Sequence, residues 1–272
     1  PHATLIIQSA HGVGTPSPGV YTNAIGITIT NTMASPDPQG TTQFVCAGWT
    51  LAGNEPGSGS AASFTMTITN DATLTWLWDT EYWLDTAAET NGSVNVGDSW
   101  QAAGVTTQIT AVADDYYHFT NWTGDASGGA NPLELLMDSP KALTAHFAEN
   151  LVTNGTPEWW LAQYSLPTTA AGATGAPHSD GLQAWPERVA GTDPTNRASV
   201  FKVTQAQTAA GSSYVLRWSS VTGRDYAVFC ATNARESLAA LATNLPANPP
   251  QNSYTDTTHG TVAPIYYRIR VQ

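Results

Sequence analysis

The sequence predicts a mainly β protein: two small repeated β units, a short helical connector and a C-terminal β-sandwich. Three observations carry this reading. Apolar and polar residues alternate over many short runs, the signature of half-buried strands. Two stretches of the first half share one pattern of strand, tryptophan, loop and closing strand. Only 11% of the 272 residues are charged, against about 25% in an average globular chain, and Thr, Ser, Ala, Gly and Asn fill the gap. Hydrophobic residues reach 41%, enough to build real cores.

The repeat comes first. Around Trp49 the chain reads FVCAGWTLAGNEPGSGSAASFTMTITNDATLTWLW, and around Trp122 it reads YHFTNWTGDASGGANPLELLMDSPKALTAHF. In each, a strand with an aromatic ends on a Trp and a Gly/Ser/Asn loop follows. An alternating segment, a tight polar turn and a closing alternating strand complete the unit. Anchoring on the turn pairs Ile68 with Met137, Leu74 with Leu143, and Trp78 with Phe147. Upstream, TLIIQSAHGVG and AIGITITNTMAS correspond to WLDTAAETNGSV and TTQITAVADD. Ile25, Ile27 and Ile29 give the period-2 signal in the first unit. The units are placed at residues 1–80 and 81–148. Trp49 and Trp122 hold equivalent core positions, and Leu74, Trp76 and Trp78 share a buried strand face.

Residues 149–197 change character. Thr156 reads as an N-cap with Pro157 at N1 and Glu158 in the first turn, and Pro167 ends that helix. TTAAGATGAPHSDG reads as a loop. A second helix starts at Gln183 or Ala184, because Pro186 is tolerated only in a first turn, and Gly191 stops it. Residues 198–272 return to strands in SVFKVTQ, SYVLRWSSV, DYAVFCAT, ESLAALATNL and PIYYRIRVQ. Turn signals at TAAGS, VTGRD and LPANPPQN separate them, a spacing that predicts an immunoglobulin- or fibronectin-like β-sandwich.

Charge narrows the partners. The net charge is −12, only Lys141 and Lys202 are lysines, and no Lys/Arg patch reverses the sign locally. Such a surface repels phosphate backbones, which excludes nucleic acid and disfavours an anionic membrane. No run approaches 18 apolar residues, so no span is predicted. The start at Pro1 fits a mature chain after signal cleavage or a fragment. Cys46 and Cys230 lie 184 positions apart; one disulfide joining two modules and two buried thiols both fit.

The second unit's FTNWTGDASGGANPLELLMDSPKALTAHF resembles the bacterial extracellular repeat related to the divergent internalin-type B-repeat. The first unit keeps the Trp and the final strands and lacks the Gly-Asp step. The resemblance implies small β-grasp-like surface modules without catalytic residues, found in adhesins and on exported enzymes. Residues 155–197 resemble a segment of large exported bacterial proteins in which an acidic run forms a calcium loop, and the sandwich resembles the domain that often follows it.

Each chemical candidate has a plainer reading beside it. Counted as an EF-hand-like loop from Ala176, the chain gives Ala176, His178, Asp180, Gly181 and Glu187 at positions 1, 3, 5, 6 and 12. Positions 1 and 3 lack carboxylates, and imidazole suits calcium poorly. Asp180, Glu187 and Asp193 are thus metal candidates only on a degenerate template; Asp180 equally fits a turn residue bonded to backbone, Glu187 a helix-surface acid and Asp193 a turn cap. Trp159, Trp160 and Trp185 are candidates to stack on neutral sugars or to join modules. No nucleophile elbow, zincin motif or P-loop occurs. The expectation is therefore a non-enzymatic, secreted or cell-surface protein without a cofactor. It would assemble with itself into a filament, tube or layer, with TLIIQS and YYRIRV as candidate pairing strands. The alternative is a carbohydrate-binding or adhesion appendage.

Overall fold

The computed structural model describes residues 1–176, 182–209, 213–259 and 264–272, grouped in two compact units, residues 1–148 and 149–272. The chain is 53% strand and 7% helix, a mainly β fold. No described helix is long and apolar enough to cross a membrane.

The first unit begins with β1 (His2–Gln8), β2 (Gly14–Thr15), β3 (Gly19–Ala24), β4 (Thr28–Met33) and β5 (Asp37–Gln39). It continues with β6 (Thr42–Ala52), β7 (Ser58–Gly59), β8 (Ser63–Thr67) and β9 (Ala72–Ala88). Then come β10 (Gly92–Val94), β11 (Ser99–Ala102), β12 (Thr106–Ile109) and β13 (Ala111–Ala113). β14 (Tyr117–Gly124), β15 (Leu133–Leu136) and β16 (Lys141–Glu149) close it.

The 17-residue β9 is the spine. At about 3.3 Å per residue it runs roughly 55 Å. Its first part pairs parallel with β1 at Ala72–Thr75, and its second part pairs parallel with β16 at Leu84–Ala88. β6 lies antiparallel along it from Thr42 to Ala52. The boundary expected between residues 80 and 81 falls inside this strand.

Both halves share one wiring. β1 is antiparallel to β3 and parallel to β9, just as β9 is antiparallel to β11 and parallel to β16. A parallel pair needs a crossover. Small sheets supply it: the three-stranded β2-β4-β8 in the first half, and the two-stranded β10-β13 and β12-β15 in the second. The likeness reaches single bonds. Gly26 N–H donates to Ile68 O at 2.8 Å and Ile68 N–H to Ile27 O at 2.9 Å. Gly104 N–H donates to Met137 O at 2.8 Å and Met137 N–H to Val105 O at 2.9 Å.

Strand alternation sends Leu74 and Trp76 of β9 into one core with Leu5, Ile7, Trp49 and Ile68. Leu84, on the same face, enters a second core with Ile109, Trp122, Met137 and Leu143. Two expectations are corrected here. Ile25 and Ile27 are exposed, because Gly26 turns the chain at φ +93° and β4 begins only at Thr28. TLIIQS is no open edge: β1 lies between β3 and β9, and β3 is the edge.

The second unit opens with α1 (Glu158–Gln163), α2 (Ala170–Thr174) and α3 (Ala184–Ala190). α1 is capped by Pro157, extended at ψ 137°, so Thr156 lies outside the helix and makes no side-chain cap. α2 stands where a loop is expected; the short AAGAT run carries no periodic signal, yet Gly172 and Ala173 are buried. α3 starts and stops as read, with Gly191 left-handed at φ +77°. Beyond them lie β17 (Val203–Ala209), β18 (Ser213–Ser219), β19 (Asp225–Ala231), β20 (Ala239–Pro246), β21 (Gln251–Asp256) and β22 (Tyr266–Val271). They form two three-stranded sheets, β17-β18-β21 and β20-β19-β22, over a core of Leu216, Trp218, Tyr226 and Val228. β21 goes unread in the sequence because its buried residues, Asn252 and Asp256, are polar.

Candidate functional site

α1 puts Trp159 and Trp160 on adjacent sides of one short helix. Trp160 is buried, its ring 5.0 Å from that of Tyr164, in a small core with Val152, Leu161, Ala173 and Ala184. Trp159 is half-buried and donates from Nε1 to Glu149 Oε1 at 2.8 Å. The two indoles, with Arg188, Val189 and Arg224, line an open groove of about 380 Å³ within this unit. Arg224 Nη2 donates to Arg188 O at 2.8 Å, which holds α3 to the β18–β19 turn. Trp185 is 41% exposed, donates to Gln183 Oε1 at 3.0 Å and does not line the groove. Two of the three tryptophans therefore meet, and with arginine rather than with the third.

The metal candidates fare differently. Asp180, with His178 and Gly181, lies outside the described residues. Glu187 corrects the expectation of a helix-surface acid: it is buried on the inner face of α3, beside the buried Ala184. Asp193 Oδ1 accepts from Thr195 N–H at 2.8 Å and Thr195 Oγ1 at 2.7 Å, so it caps the turn after α3. Among the described residues no group of three His, Cys, Asp or Glu is placed to hold a metal. Cys46 is a half-buried and Cys230 a buried free thiol. Burial, then the Asp256 charge, pushes the Cys230 thiol pKa up and keeps it protonated.

Two clusters escaped sequence reasoning. Asp256, at the end of β21, is 1% exposed and accepts from Thr258 N–H, His259 N–H, His259 Nδ1 and Tyr267 Oη. Nothing in the spacing DTTH signals that arrangement. The second corrects the view that no basic patch exists. Tyr266, Arg268 and Arg270 project from one face of β22 and are exposed. Phe229 of β19 lies opposite Arg268, with the Arg270 guanidinium 5.8 Å from its ring centre. Strict alternation in YYRIRV carries part of that signal.

Residues 82–151 match the family described as the Divergent InlB B-repeat domain, just over a quarter of the chain. The match falls on the unit whose FTNWTGD and LTAHF runs carry the resemblance. No curated protein and no solved structure matches the chain.

Proposed function

We propose that this chain is a non-enzymatic structural protein of the bacterial cell surface or exterior that assembles with copies of itself. We read residues 1–80 as a diverged second copy of the matched repeat, and residues 149–197 as a connector derived from a calcium loop. The observation that carries the reading is β9. One uninterrupted strand closes the first repeat and opens the second, so the pair cannot hinge without breaking its ladders. Such a joint suits a stiff spacer.

Geometry supports the second copy. Gly53 and Gly124 are both left-handed, at φ +86° and +105°. A Cβ on either would strike backbone at the start of the closing strand, at Asp71 O just before β9 and at Ala142 O in β16. The Gly step thus survives in the first unit, displaced by two residues relative to the Trp. Open edges support assembly: among the described strands β3 pairs only with β1, and β22 only with β19. Unpaired edges recruit further strands.

Light scattering and negative-stain microscopy of the purified chain test this. The expected result is an ordered polymer that Val20→Lys, on the β3 edge, weakens without unfolding. A monomer at all concentrations overturns it. The alternative, binding of a neutral polysaccharide, is favoured by the groove at Trp159 and Trp160; there Trp159→Ala would abolish polysaccharide pull-down while the fold persists.

A further inference from the structure

Charge is divided unevenly between the two units. Residues 1–148 hold thirteen Asp and Glu against one Lys, and residues 149–272 hold eight acids against eight Lys and Arg. The whole net charge of −12 therefore belongs to the first unit, and the second is neutral. A chain so divided repels itself at like faces and attracts itself at unlike ones.

Two strand faces concentrate the contrast. On β22 the order along one face is Arg270, Arg268, Tyr266. No ion pair of either arginine occurs among the described residues. With Phe229 and Glu236 this face lines an open groove of about 440 Å³. On β9 the odd-numbered residues point away from the cores, and the order along that face is Asp79, Glu81, Trp83. Asp79 is exposed. Glu81 Oε2 accepts from Gln43 Nε2 at 2.6 Å, which orients that carboxylate. Trp83 stands edge-on to Trp100 of β11 at 5.2 Å between ring centres.

The two faces match in period as well as sign. Side chains two apart on a strand are about 6.6–6.8 Å apart. Each face therefore presents charge, charge and aromatic at the same interval, negative on β9 and positive on β22. Arginine forks fit carboxylates, and their faces stack on indole.

We propose that the Arg268–Arg270 face of one molecule docks on the Asp79–Glu81 face of a second copy of this chain. The two patches lie on different units, so the contact is heterologous. A docked pair leaves one patch of each kind free, and the contact propagates into a filament or closes into a ring. The inference rests on the proposed self-assembly and names its interface.

The test uses full-length protein in sedimentation velocity at low and high salt. Three samples are compared: wild type, Arg268→Glu with Arg270→Glu, and Asp79→Arg with Glu81→Arg. Thermal unfolding checks that each is folded, and Asp79→Arg alone stands in if the acidic-face double variant is not. Wild type should associate reversibly and at least tenfold more weakly at high salt, where exposed charges are screened. Each reversed variant should be monomeric alone. Their mixture should associate, because the Glu groove of one accepts the Arg face of the other. Polymers that persist in both variants overturn this interface and leave self-assembly standing. A wild type monomeric at every concentration overturns both. A wild type monomeric alone yet shifted by polygalacturonate overturns the interface and gives the groove to an acidic glycan.

Discussion

The indole N–H of Trp122 donates to the Ala130 carbonyl at 2.8 Å, whereas that of Trp49, in the equivalent place, is buried with no acceptor among the described residues. The two cores should therefore answer one substitution differently. Trp122→Phe removes volume and strands a carbonyl, a loss of about 1–3 kcal/mol. Trp49→Phe removes comparable volume but also deletes an unpaired donor. It should cost measurably less in urea unfolding, and equal losses would refute the distinction.

Two glycines five residues apart give a packing test. A Cβ at Gly92 would clash with the edge of the Phe147 ring, while one at Gly97 meets nothing within 4 Å. Gly92→Ala should cost about 1–3 kcal/mol through overpacking. Gly97→Ala should stay within about 0.5 kcal/mol of wild type. Thermal melts of both variants compare them directly.

The buried Asp256 sets a pH window for the sandwich. Burial raises its pKa, but bonds from the Thr258 amide, the Tyr267 hydroxyl and His259 outweigh that and hold it below 3.8. A depressed folded pKa means stability present above 3.8 and lost as pH falls through the folded value. Tyr267 moves the other way: burial and its bond to Asp256 push its pKa well above 10.0. That contribution is present below pH 10.0 and is lost as pH rises toward the folded value. Asp256→Asn should cost about 1–3 kcal/mol near neutrality, because an amide cannot accept on both sides. It should also flatten the acid limb of unfolding free energy against pH.

The cores were legible because one-sided burial forces period 2 on a strand. Ile68, Met137, Leu74 and Leu143, paired from pattern alone, all lie buried. The continuity of β9 was hidden because Asp79, Thr80 and Glu81 interrupt the apolar pattern; the two acids merely sit on the outer face. β21 was hidden because polar residues fill its buried positions. Alternation aligned Arg268 with Arg270, but bringing Phe229 opposite them needed a register across strands nearly forty residues apart, which no local pattern encodes. Trp159 and Trp160 were singled out for their type, and their grouping with Arg188 and Arg224 came only from the fold.

Asp193 separates a turn from a metal site. Its Oδ1 accepts two bonds from Thr195, and Ser199 Oγ accepts from its N–H at 2.9 Å. The amide oxygen of asparagine can accept the same pair, so Asp193→Asn should leave stability nearly unchanged. Asp193→Ala leaves the Thr195 amide without that acceptor and should cost about 1 kcal/mol, as lost side-chain caps do. A carboxylate needed for a hard cation behaves otherwise, because neutralising it weakens the ion directly. Thermal melts of both variants, with and without calcium and a chelator, distinguish the roles. Capping predicts an asparagine variant that melts with wild type in every buffer; a calcium-dependent gap between them would assign Asp193 to a metal.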